Sequence, residues 1–321
     1  MSGIFLNNLL IVYLFSEIIL LILSIYLLFL DIKLLKYWDF NSFTTRQFKL
    51  EKRGFLLSTI AKFLFTFKFI LLIYFVYMID SLSSLIPGAM CAAGVISANS
   101  YGLNLLLVKL LTLFTLMLFL TLDFLDLQAK TYPLFKVKLW VILIALFLIF
   151  LEGYLDFKYF SNIDISQSVS CCSSLYGNLE GANPLPFNLN IKMLLILFYT
   201  LFIALLSSLL LENKILTAVL ILLFAVISYY SVVYFFGTYI YELPSHKCPF
   251  CMMQKEYYYI GYLLWGFLGG SLFFGLIWAI IGFLNYKLEK LKKLSIIFLI
   301  GFVFLCSFYV LIYYIKNGVF L

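Results

Sequence analysis

Eight long apolar runs alternate with short polar segments along the chain, near 8–30, 57–79, 103–122, 139–155, 191–211, 215–236, 257–284 and 296–315. A helix needs about 20 mostly apolar residues to cross the hydrocarbon core of a bilayer. The pattern therefore predicts an all-α fold, a polytopic membrane helix bundle of about eight transmembrane helices. The seventh run is long enough to tilt or to begin as a helix above the membrane, and its Gly266, Gly269 and Gly270 would allow close helix packing. The chain opens MSGIFLNNLL, with no basic n-region and no small-residue cleavage site, so the long first run reads as a retained helix rather than a signal peptide. The longest segment between runs, about 156–190, is too short for a folded soluble domain. Residues 1–321 read as a single integral membrane domain, with 215–321 as a candidate redox half.

Composition agrees with the pattern. Of 321 residues 65% are hydrophobic, 20% aromatic and only 12% charged, with mean hydropathy +1.10. Soluble domains carry about 25% charge, so lipid must be the solvent of most of this surface. The net charge of +7 does not form a nucleic-acid footprint, because the basic residues are spread over short loops. Their distribution instead sets orientation. With the 33–53 loop inside, inner segments hold 14 of the 22 Lys and Arg and outer segments 5. The positive-inside rule then places both termini outside. No GxxxxGK[ST] phosphate loop and no internal repeat is present, so chemistry is expected in the bundle or on its outer face.

In that orientation five of the six cysteines fall in outer loops: Cys91, the adjacent Cys171 and Cys172, and Cys248 and Cys251 of HKCPFC. Outer compartments are where disulfides persist. The CPFC spacing fits a readily exchanged disulfide, with Cys248 as attacking thiolate and Cys251 as resolving partner. Helix seven is expected to start just after Cys251, and His246, Lys247 and Lys255 are close enough in sequence to lower a thiol pKa. The same spacing suits zinc or another soft metal, with His246, Cys248 and Cys251 as ligands, and it also suits an inert structural disulfide. Cys171 and Cys172 lie in a long, turn-rich loop that could swing over CPFC and exchange with it. Cys91 reads as a packed small side chain, a third redox partner, or a metal ligand with Met90. Cys306, in mid-helix, reads as core.

The segment CPFCMMQKEYYYIGYLL resembles the CxxC segment of bacterial inner-membrane disulfide oxidases of the DsbB type, and more loosely the vitamin K epoxide reductases. The resemblance covers about 17 residues and the helix they lead into. It implies Cys248 and Cys251 as the redox pair, Lys255 as the basic residue beside a bound quinone, and an external thiol-redox protein as partner. It also implies residence in the bacterial inner membrane with the cysteine loops on the periplasmic side. The family's second cysteine pair comes after the CxxC, whereas here the shuttle cysteines would come from upstream: Cys91, Cys171 or Cys172. Lys255 stands where the family usually has arginine, and the bundle is twice the family's four helices. Tyr258 and Trp265, within the aromatic run after CPFC, could sandwich the quinone ring or belong to the interfacial belt.

Three functions are expected on these grounds: a quinone-linked thiol–disulfide oxidoreductase, a soft-metal (copper, zinc or mercury) binding or transport protein, and a non-catalytic subunit with stapled outer loops. Charges at membrane depth add a further site. Glu17 and Lys68 lie at matching depths, which suggests an ion pair or a proton path, while Lys109 and Glu152 are expected to snorkel to the headgroups.

Overall fold

The computed structural model of the chain describes residues 3–39, 44–129, 132–164, 168–169 and 189–321. The described residues form helices and turns, and they divide into two compact units. The first comprises 1–87 and 95–169, the second 88–94 and 170–321. Seven described helices are long and apolar enough to cross a membrane. The chain is an integral membrane protein. The fourth expected run falls on a helix of 27 residues, about 40 Å at 1.5 Å per residue, that is not among those seven.

The first unit is a ring of four helices: α1 (Asn8–Tyr37), α2 (Thr45–Leu82), α4 (Tyr101–Gln128) and α5 (Phe135–Ser161). The short α3 (Ala92–Ile96) precedes α4. In the ring α1 packs on α2 and α5, α2 on α4, and α4 on α5. Two of these helices begin on a side-chain cap. The Asn7 side chain caps α1 by accepting from Leu9 and Leu10, and the Thr44 hydroxyl caps α2 by accepting from Gln47.

The buried face of each helix repeats at alternating steps of three and four. In α1 it runs Leu10, Tyr13, Glu17, Leu20, Ser24, Leu27, Asp31, Leu34. In α2 it runs Leu50, Gly54, Leu57, Ala61, Leu64, Lys68, Leu71, Phe75, Met78, Leu82. The same spacing carries Gly102 to Asp126 along α4 and Phe135 to Tyr159 along α5. This is the 3.5-residue seam of a coiled-coil bundle. The opposite face is apolar too: Ile11, Phe15, Ile18, Ile22 and Phe29 of α1 are exposed, as lipid-facing residues must be.

Two polar layers interrupt the seam. One joins Glu17, Lys68, Lys109, Glu152 and Asp156, and the other joins Asp123, Asp126 and Lys138. The Glu17–Lys68 pair is present at 2.5 Å. The expectation for Lys109 and Glu152 is overturned: they are 4% and 2% exposed and bond each other at 2.7 Å. Their position on the helix circumference, rather than their distance from a helix end, decides their environment.

The second unit closes α6 (Ile191–Leu210), α7 (Lys214–Ser231), α9 (Ile260–Phe283) and α10 (Glu289–Asn317) into another ring. Its core stacks Phe198, Phe224, Phe236 and Phe302, with ring centroids 5.0–6.1 Å apart. A π-helical turn, Val232–Phe236, continues α7 into α8 (Gly237–Tyr241). Such turns add a residue and rotate the helix beyond them. Small residues do permit close helix approach, but only one of the three expected glycines takes part. A Cβ on Gly270 would lie 2.4 Å from the Phe298 ring, whereas Gly266 and Gly269 face open space. Tight contact occurs instead at Gly275, where a Cβ would meet Ile221 at 2.2 Å.

Candidate functional site

The CPFC segment belongs to the second unit, in the loop between α8 and α9. Helix α8 ends at Tyr241, and Glu242 turns the chain through a left-handed backbone (φ 53°). The Tyr241 hydroxyl then holds both ends of the motif. It donates to the Cys248 carbonyl, and it accepts from the Met252 amide at 3.0 Å. Trp265 of α9 donates from its indole Nε1 to the Pro249 carbonyl at 3.0 Å. Gly261 gives the loop room, since a Cβ there would sit 2.6 Å from the Met252 side chain. One phenol, one indole and one glycine thus fix a segment with little regular structure of its own.

Residues 88–94 complete the site. Gln254 donates from its side chain to the Met90 carbonyl at 3.1 Å. Beside it Cys91 is fully buried, with its Sγ 3.5 Å from that of Cys248. The sulfurs of Cys91, Cys248 and Cys251 all lie within 4.8 Å of one another, and each residue is buried. A disulfide needs about 2.05 Å, so none of the four described cysteines is disulfide-bonded. Cys91 is the residue whose importance the sequence left open. Nothing in its local pattern brings it to a partner 157 positions away.

Other expected site residues are distributed differently. His246 packs against Tyr241 with the rings tilted by 47° and their centroids 4.2 Å apart, and its buried Nε2 has no hydrogen-bond partner among the described residues. Burial holds its imidazole below the ordinary value of 6.5, partly offset by Cys91, so the ring is neutral near pH 7. Lys247 turns its ammonium over the Tyr234 ring, 4.7 Å from the centroid. Lys255 is exposed, and Tyr258 is 91% exposed. Trp265 contacts the motif through the bond to the Pro249 carbonyl. Cys306 is wholly buried in α10, as expected for core. Cys171 and Cys172 lie outside the described residues.

The helix start differs from expectation. Cys251 opens a 3₁₀ turn, Cys251–Met253, and α9 begins only at Ile260. The N-terminal dipole of α9 therefore does not act on CPFC directly. Between them Tyr258 and Tyr259 take consecutive left-handed conformations (φ 53° and 57°), which are costly for residues with a Cβ.

Chemically the site offers three thiols within 4.8 Å of one another, a cluster that does not include the His246 imidazole. Such a set can pass a disulfide among its members. It can also hold a soft cation, because sulfurs bound to one zinc at about 2.3 Å lie just under 4 Å apart. Comparison with protein-family models, with curated proteins and with solved structures finds no match for this chain.

Proposed function

We propose that the chain is a membrane thiol–disulfide oxidoreductase whose working thiols are Cys91, Cys248 and Cys251. The reading rests on one observation: three buried sulfurs, brought from two distant parts of the chain, lie within 4.8 Å of one another. Cys91 and Cys248 lose two electrons and two protons to form a disulfide, and a membrane quinone takes them up to become quinol. The Cys251 thiolate then attacks the Cys248 sulfur, transferring the bond within the motif and releasing Cys91. An external thiol protein exchanges with this bond through Cys171 or Cys172. The positive-inside distribution supports an outer placement of the cysteine loops, and the resemblance to the disulfide oxidases implies the periplasmic face of a bacterial inner membrane, where disulfides persist.

A second reading is favoured by the three clustered sulfurs of Cys91, Cys248 and Cys251, a set that His246 does not join. In it the cluster binds a soft cation such as copper, zinc or mercury. One experiment separates the two. Reduced protein in detergent is mixed with a soluble quinone, and thiols and bound metal are counted before and after. The oxidoreductase consumes two thiols per quinol formed and carries no stoichiometric metal. Thiols that stay reduced beside one equivalent of metal, and become titratable with chelator, establish the metal site instead.

A further inference from the structure

The first unit carries chemistry of its own. At one level of the bundle its four helices contribute Glu17 from α1, Lys68 from α2, Lys109 from α4, and Glu152 and Asp156 from α5. Lys68 Nζ lies 2.5 Å from Glu17 and 3.0 Å from Glu152. Lys109 Nζ lies 2.7 Å from Glu152, 3.1 Å from Asp156 and 3.7 Å from Glu17. Tyr13 accepts from Lys109 and donates to both Asp156 oxygens, at 3.0 and 3.1 Å. Tyr159, one turn beyond Asp156 on α5, donates to the Val95 carbonyl instead.

Charge counting decides what this layer lacks. Among the described residues three carboxylates face two ammoniums, which leaves one negative charge uncompensated, and all five residues are at most 4% exposed. An unbalanced charge at membrane depth costs several kcal/mol. The other layer of the same bundle shows the contrast. There Asp123 and Asp126 face buried Lys138, and Lys62, with a half-exposed side chain 3.7 Å from Asp123, supplies the second positive charge. Lys109 and Asp123 are fourteen residues apart on α4, about 21 Å at 1.5 Å per residue, so Lys62 belongs to its own layer only.

Two further observations indicate what completes the unbalanced layer. Glu152 Oε2 is buried and has no hydrogen-bond partner among the described residues. The cavity bounded by Glu17, Lys68, Lys109 and Glu152 is only about 10 Å³, room for at most one water and too little for a hydrated metal ion. We propose that the layer is a proton-binding site, in which the Glu152–Asp156 pair holds a single exchangeable proton inside the membrane. Lys68 and Lys109 set how tightly it is held, and Tyr13 relays it at Asp156.

Infrared difference spectroscopy on the intact chain in lipid nanodiscs tests this, comparing mildly acidic with mildly alkaline buffer. The expected result is the carbonyl band of a protonated carboxylic acid that shifts in D₂O and is lost in Glu152→Gln or Asp156→Asn. Should neither variant fold, Tyr13→Phe is expected to shift the band by removing the hydroxyl at Asp156, and an unmoved band contradicts the proposal. No protonated-carboxyl band, or a band retained in both carboxyl variants, overturns it. A band abolished by sodium at constant pH also overturns it, in favour of a bare monovalent cation.

Discussion

Lys109→Met is expected to destabilise the first unit by about 3–5 kcal/mol, the cost of leaving buried charge without its partner. Lys109 is 4% exposed and contacts Glu17, Glu152, Asp156 and Tyr13. Methionine fills much of the same volume, so packing loss is small and the effect reports electrostatics. Lys62→Met removes an equal charge, but from a side chain 55% exposed at 3.7 Å from Asp123. Its expected cost is about 0–1 kcal/mol. Adding Glu152→Gln to Lys109→Met should recover part of the loss, because it removes one of the stranded charges. Denaturant titration of helicity in detergent measures all three. Equal losses at Lys62 and Lys109 would contradict the buried network.

Cys248→Ser is expected to abolish quinone-linked oxidation, a loss of about a thousandfold or more, the scale on which removing a covalent nucleophile acts. Cys248 is the sulfur common to both bonds in the proposed relay, the one to Cys91 and the one to Cys251. Cys91→Ser should block oxidation by quinone while leaving Cys248 and Cys251 able to accept a disulfide from a small-molecule oxidant. Cys306→Ser should leave turnover unchanged, since Cys306 sits in the aromatic core beside Phe302. Quinol formation per chain, measured with each variant folded to the same helicity, reads the series. Full activity in Cys248→Ser would remove the motif from the mechanism.

The helices were legible because length and apolarity suffice to mark them, whereas their inward faces were much less so. In α1 both faces are apolar, and hydropathy carries no phase. The phase is instead written by Glu17, Ser24 and Asp31, spaced seven apart on the buried stripe. Reading those polar positions as the inside would have placed Lys109 and Glu152 in the bundle, since they share a register with Asp123 and Asp126 on α4 and with Lys138 and Asp156 on α5. Depth alone assigns them to the headgroups. CPFC was visible from spacing, and its thiols do lie together. The third thiol was not, because the approach of Cys91 is a tertiary contact with no local signature. Tyr241 was also missed: it ends an apolar run like many other tyrosines, and only the folded loop shows it bonding both ends of the motif.

The most direct test of the thiol relay is disulfide mapping of the wild-type chain in native membranes. Thiols are trapped by acid and alkylated, and the linked peptides are identified before and after exposure to quinone. The relay predicts a peptide joining Cys91 to Cys248 that appears with quinone and disappears with mild reductant, alongside one joining Cys248 to Cys251. A chain in which Cys91, Cys248 and Cys251 stay fully alkylated under quinone, or in which their bond resists mild reductant, would contradict it.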